Sequence, residues 1–278
     1  MINTPFKIQP VAAFYKLLAK NFLFIFPISL ILSVPVFFII KLSLVNTLGT
    51  EGIKEFIKLI EFVQSSKTAI QAEAMKNFIS KYPTIASSIF GGFIVLLFVF
   101  AYIFNSTQQF LKSKSLGLDY KVLSLLTPDK NFLKILVYLV LSTGYVLFTF
   151  SFITLSIASN PVIGLIASIF IGLLFVRSFL VIPGIIMGEM PFLDSLKYSF
   201  QTISLGRAFK IIIFGILILF LLYFILSILV SPLTLILNTY SSLMYSNFLV
   251  MFLLIGCISV GLTSLFLRYG NFEEEKIA

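Results

Sequence analysis

Residues 211–230 read IIIFGILILFLLYFILSILV, twenty positions without a charge, in which only Tyr223 and Ser227 carry polar side-chain atoms. An α-helix rises about 1.5 Å per residue, so such a stretch covers the roughly 30 Å of hydrocarbon in a bilayer. In lipid every backbone N–H and C=O must be bonded inside the segment, and the helix does this without help from neighbours. Just before the stretch stand Arg207 and Lys210, and just after it Ser231–Asn247 carries no charge. An apolar run with a basic flank on one side and a neutral flank on the other is the mark of a membrane span with a defined orientation.

The same reading, carried outward, gives five more spans: Phe22–Ile40, Ile85–Phe104, Ile135–Ile157, Val162–Met187 and Phe248–Leu267. Pro27 and Pro35 are expected to bend the first, and Arg177 and Pro183-Gly184 interrupt the fourth. Composition agrees, with 59% hydrophobic and 11% charged residues, where soluble domains carry roughly 25% charge. The expected fold is all-α: one six-helix membrane domain over residues 1–278. Lys7, Lys16 and Lys20 resemble the basic start of a signal peptide. The apolar run behind them is long and no small-x-small cleavage pattern follows, so a retained first helix is expected.

The net charge of +9 is read as orienting charge rather than as a nucleic-acid surface, and no nucleic-acid partner is expected. Basic residues gather at the N-terminus (Lys7, Lys16, Lys20), in the second loop (Lys112, Lys114, Lys121, Lys130, Lys134), in the fourth loop (Lys197, Arg207, Lys210) and in the tail (Arg268, Lys276). The third loop, 158–161, and the fifth, 231–247, carry none. The expected topology has both termini in the cytoplasm.

The first loop, 41–84, holds six lysines against four glutamates. Long loops cross largely regardless of charge, so it is expected outside. Ile53, Phe56, Ile57, Ile60 and Val63 recur at helical spacing opposite Lys54, Glu55, Lys58 and Glu61, with Thr50 placed as an N-cap. Ile70, Ala74, Phe78 and Ile79 mark a second helical face. An extracytoplasmic helical hairpin is expected, offering a surface to lipid or to a membrane-protein partner. The cytoplasmic loops are the other surface for such a partner.

Three short segments look alike. Phe14-Tyr15-Lys16-Leu17-Leu18 leads to Lys20-Asn21-Phe22-Leu23, and Asp119-Tyr120-Lys121-Val122-Leu123 leads to Lys130-Asn131-Phe132-Leu133. Asp194-Ser195-Leu196-Lys197-Tyr198 leads to Gly206-Arg207-Ala208-Phe209-Lys210. Each combines an amphipathic stretch, a basic polar turn and entry into a span. The implied unit is a cytoplasmic interfacial helix followed by a transmembrane hairpin, used three times.

The third unit and the end of the fourth span carry a further signal. Arg177-Ser178-Phe179-Leu180-Val181-Ile182-Pro183, then Glu189, then Asp194-Ser195-Leu196-Lys197-Tyr198-Ser199, then Gly206-Arg207-Ala208-Phe209-Lys210 resembles the membrane domain found beside glycerophosphodiester phosphodiesterases and related six-helix bacterial inner-membrane proteins. The resemblance implies an α-helical domain of the cell inner membrane. It does not bring hydrolase activity, because the phosphodiesterase domain depends on histidines and this sequence has none. Nor does the chain as read, ending at Ala278, leave room for that domain.

Chemistry is otherwise sparse. Without histidine there is no His-based triad, proton shuttle or zinc protease site. The single cysteine, Cys257, sits in an apolar run and reads as packing. No phosphate loop or Gly-rich dinucleotide turn is present, and no cofactor or metal is expected. Asn105-Ser106-Thr107-Gln108-Gln109 reads as the solvated end of the second span.

Arg177 is the most informative residue, since an intramembrane charge faces the bundle and has a partner. In a straight helix Arg177 and Glu189 stand about 18 Å apart and do not touch. A break at Pro183-Gly184 would let Glu189 fold back. Either Arg177 is structural, held by loop carbonyls or lipid phosphate, or Arg177 and Glu189 line an anion site. The sequence thus reads as a non-enzymatic membrane protein with a scaffold, lipid-associated or envelope-maintenance role. A transporter or permease subunit using Arg177 in a broken span is the alternative.

Overall fold

The computed structural model describes residues 10–65, 68–115, 129–234 and 239–269, and all regular structure among them is α-helical. The helices are α1 (Pro10–Ser65), α2 (Thr68–Lys81), α3 (Ile85–Ser115), α4 (Phe132–Ser159), α5 (Pro161–Val176), α6 (Val181–Ile186), α7 (Phe192–Thr202), α8 (Leu205–Thr234) and α9 (Thr239–Tyr269). Six stretches are long and apolar enough to cross a membrane: Asn21–Gly49, Ile85–Ser113, Phe132–Thr154, Pro161–Ile186, Leu205–Pro232 and Tyr245–Leu267. The protein is an all-α, six-span membrane protein.

The chain divides into two compact units, Met1–Leu30 with Phe100–Ala278, and Ile31–Val99. In the larger unit α9 is the central span, with 56% of its window buried, whereas the third and fifth spans bury 11% each. Those two helices turn large apolar side chains outward along their length, among them Phe148, Phe150, Ile216 and Phe220. Such a surface is stable only against lipid or another apolar face. One core cluster joins Ala101, Phe104, Ile135, Tyr138, Val181, Ile182, Ile185, Ile186 and Leu262, so α3, α4, α6 and α9 meet there. A second joins Val176, Leu180, Ile203, Ala208 and Phe266. Helix α1 lies against α9 at Gly256, where an added Cβ would sit 2.4 Å from Ile25 Cγ2. Only glycine permits that approach.

In the smaller unit the first span continues past Ile40 to Gly49, whose φ of 64° kinks α1. Glycine carries this left-handed geometry without a Cβ penalty. Beyond the kink the chain forms the expected hairpin with α2. Leu48, Phe78 and Ile85 are its buried centre, with Ile53, Phe56, Leu59 and Tyr82 packed around them. Lys81 Nζ donates to Glu55 at 2.6 and 2.8 Å, and Tyr82 Oη donates to the same carboxylate at 3.2 Å. The lysine holds the Glu55 carboxyl below its ordinary pKa, and Glu55 raises that of Lys81. Ile79, expected on the packed face, is instead exposed, because Phe78 takes the inward position. The side chains of Thr50, Ile57, Ile60, Val63 and Ile70 lie outside the description.

Of the three repeat units, the third has its own interfacial helix, α7. At the first, the chain is helical from Pro10 and enters the span without a break. The segment of the second, 119–123, lies outside the described residues.

Candidate functional site

Of the two interruptions expected in the fourth span, at Arg177 and at Pro183-Gly184, the helix breaks at the first and not at the second. Asn160 caps α5, its side-chain oxygen accepting from Val162 N and Ile163 N at 3.1 and 3.3 Å. The helix runs from there to Val176, and four residues of turn, Arg177–Leu180, separate it from α6. Pro183 falls in the first turn of α6, where its missing N–H costs no helical bond. Gly184 lies inside α6 and lets α7 close in: an added Cβ would stand 3.1 Å from Ser195 Oγ and 3.2 Å from Ser195 Cβ.

A helix break frees backbone groups, and at membrane depth each needs a partner. Short turns satisfy part of the need, with Ser178 N bonded to Phe175 O at 3.0 Å and Phe179 N to Val176 O at 3.1 Å. Helix α7 and α4 supply the rest. Ser199 Oγ donates to Arg177 O at 2.5 Å and accepts from Leu180 N at 3.0 Å, bridging the gap. Tyr138 Oη, from α4, donates to Ser178 O at 3.0 Å. Ser195 and Ser199 are both fully buried and four residues apart on α7, Ser199 bonded into the break and Ser195 packed on Gly184 of α6.

The exchange runs both ways. Arg177 Nε donates to Ile203 O at 2.9 Å and an Nη nitrogen donates to Phe200 O at 2.5 Å, with the guanidinium 5.1 Å from the Phe200 ring centroid. Arg207 Nη1 donates to Thr202 O at 2.7 Å. The final carbonyls of α7 thus lie on two arginines, where a helix C-terminus is most negative. Arg177 is the C-terminal clamp of α7, and Ser199 of α7 is the clamp of the break beside Arg177.

Glu189 is elsewhere. It adopts φ 52° in the turn that ends α6, where Met190 N bonds to Gly184 O at 3.1 Å. Its carboxylate pairs with Lys112 at 2.5 Å, its side chain being 76% exposed. Lys112 also donates to Ile186 O at 3.0 Å. The lysine holds the Glu189 carboxyl below its ordinary pKa. The two sequence-expected site residues therefore stand beyond opposite ends of α6. Arg177 stays at the end of α5, where α7 returns, whereas Glu189 belongs to the turn after α6.

The expected solvated end at Asn105–Gln109 is corrected by the structure. Helix α3 runs on to Ser115, and Asn105, Ser106, Thr107 and Gln108 are at most 3% exposed. Gln109 reaches a loop carboxylate, donating to Asp129. The first charge on this helix is Lys112, and its position was the sequence signal that the polar run lies inside the bundle rather than at its edge. Cys257 is buried in α9. Among the described residues no three His, Cys, Asp or Glu side chains come together. No family profile, curated protein or solved structure matches this chain.

Proposed function

We propose that this is a non-enzymatic membrane protein with a scaffold, lipid-associated or envelope-maintenance role, related to the membrane domains that accompany glycerophosphodiester phosphodiesterases. In this reading it resides in a bacterial inner membrane with both termini in the cytoplasm. Membrane lipids cover its apolar flanks, and a membrane-protein partner docks on 41–84 or on the cytoplasmic loops.

The closed break in the fourth span supports this reading most directly. Interrupted helices of transporters present their free ends to substrate or ion. Here the ends at Arg177–Leu180 are bonded to Ser199 and Tyr138, and the guanidinium is bonded to Phe200 and Ile203. A cation so engaged fastens α7 to the span. Arg177→Ala should lower the melting temperature and folded yield in detergent, because it leaves buried carbonyls without donors. Arg177→Lys should restore part of the loss, since an ammonium cannot reproduce the planar fork. An Arg177→Ala protein as stable as wild type would sink the structural role.

A transporter or permease subunit is the second reading. The buried polar residues Asn105–Gln108 favour it, because lipid-embedded proteins seldom keep uncharged amides at depth without use. It expects both Arg177 variants to fold normally and to lose an uptake or binding signal.

A further inference from the structure

We propose, resting on the lipid-associated reading above, that the corner between α7 and α8 docks on anionic phospholipid headgroups of the cytoplasmic leaflet. Lys197, Arg207 and Lys210 supply the charge, beside an apolar row begun by Leu205 and Phe209. From Pro191 to Lys210 the chain carries these three cations and a single carboxylate, Asp194. Asp194 stands in the first turn of α7, where the helix dipole favours an acid. Lys197 and Lys210 form no ion pair among the described residues, whereas Lys81 and Lys112 are engaged by Glu55 and Glu189.

Helix α7 has a closed face and an open one. Ser195 and Ser199 are buried, and Phe192 and Leu196 pack on the core beside them. Leu193, Lys197 and Gln201 follow one another at four-residue spacing on the opposite face, and all three are exposed. That face leads into the corner. Ile203 is buried and extended there, ending α7. The first turn of α8 then reaches back, with Arg207 Nη1 donating to Thr202 O at 2.7 Å, next to Gln201.

The start of α8 carries two adjoining rows. Leu205, Phe209 and Ile213 are exposed at four-residue spacing, at the beginning of the fifth span. Arg207 and Lys210, three residues apart, are exposed on the same helix end. At about 100° per residue, Gly206 falls between the rows. An added Cβ there would meet nothing within 4 Å, so the surface between cations and apolar side chains is open.

These neighbours select the occupant. Leu205 and Phe209 belong to the span, so a surface continuous with them is a lipid surface and not that of a soluble protein. Cations at that boundary stand at headgroup level. An acidic headgroup complements their excess over Asp194, and a zwitterionic one brings no net charge to it. Lysine stems lie along apolar surface while the ammonium stays in the polar layer. Arg207, positioned by Thr202 O, presents a planar fork suited to phosphate.

The test is the melting temperature of the full chain in detergent, titrated with short-chain phosphatidylglycerol, short-chain phosphatidylcholine or inorganic phosphate. Phosphatidylglycerol should raise it more than phosphatidylcholine, and the difference should shrink in high salt. Lys197→Gln with Lys210→Gln should need about thirtyfold more phosphatidylglycerol for the same shift. Lys197→Arg with Lys210→Arg should respond as wild type. So should Lys54→Gln with Lys76→Gln, a pair of exposed lysines on the 41–84 hairpin. Should the first pair not fold, Lys197→Gln and Lys210→Gln are read singly, each with a smaller loss expected. An equal wild-type response to both lipids overturns the proposal alone and leaves the corner to a protein partner. No response to either lipid overturns the lipid-associated reading with it. An unchanged titration in the folded glutamine variants, an equal loss from the hairpin pair, or the same shift with inorganic phosphate also overturns the proposal.

Discussion

Arg177 and Glu189 are charges on one short stretch of chain, yet their surroundings assign them different work. The guanidinium has two carbonyls of α7 and one aromatic face, all from the segment it anchors. The Glu189 carboxylate has one lysine and much solvent. Exposed ion pairs contribute up to about 1 kcal/mol, so Glu189→Gln should cost no more than that. Because the folded-state carboxyl titrates below its ordinary value, the contribution is whole above the ordinary carboxylate range. It fades as the pH falls through the lowered value. The stability difference between wild type and Glu189→Gln, measured by thermal unfolding across that acidic range, should therefore shrink on acidification. Backbone conformation adds a second expectation. Glu189 is held at φ 52°, where a side chain is strained and glycine is not. Glu189→Gly and Glu189→Ala both lose the ion pair, so Glu189→Gly should be the more stable of the two by about 1 kcal/mol. The reverse order would mean that the turn at the end of α6 relaxes in the free protein.

Helix α7 is the element on which the α7 side of the larger unit depends. Its buried Ser199 enters the break of the fourth span and Ser195 packs on Gly184 of α6, its C-terminus rests on Arg177 and Arg207, and its apolar residues join both core clusters. Tyr198, on the same helix, has its phenol raised above the ordinary pKa by burial. Ser199 is the most economical place to test the seam, because one hydroxyl serves a donor and an acceptor of the break. Removing a partner and leaving buried groups unbonded costs about 1–3 kcal/mol. Ser199→Ala should therefore lower stability within that range, read as a fall in melting temperature or in the SDS fraction needed for unfolding. Leu193→Ala, at an exposed position of the same helix, should do much less. Equal losses from the two would show that α7 is held by its apolar contacts and not by the hydroxyl bridge.

The molecule as a whole is ordered by the membrane. In the larger unit the most buried span is that of α9, and the least buried are the third and fifth. The distribution of lysine and arginine predicts Ser113, Thr202 and the C-terminal tail on the cytoplasmic side, with Gln71 and Ser242 outside. Single cysteines at these positions, in a Cys257→Ser background, should react with impermeant reagent from the matching side only. A cysteine at Ser113 that labels from outside would invert the topology and, with it, the placement of 41–84.

Span number and helical class were legible along the chain, because whether a segment enters lipid depends on its own summed transfer energy and on local period. The IIIFGILILFLLYFILSILV stretch needed no neighbour to be read, and the helical hairpin was legible from its 3.6-residue spacing, though not the kink at Gly49 or the run of the first span as far as that residue. The absence of histidine was equally a property of the sequence. Three things were decided only by the tertiary structure. The break of the fourth span falls at Arg177–Leu180, not at Pro183-Gly184, because α7 returns there to bond the freed groups. Arg177 meets carbonyls of Phe200 and Ile203, and Glu189 meets Lys112, a residue 77 positions away. Asn105–Gln108, polar by composition, are enclosed because α3 extends through the bundle between α1 and α9. Hydropathy reports the solvent a segment prefers, whereas the partner of a polar group is fixed by which distant element packs beside it.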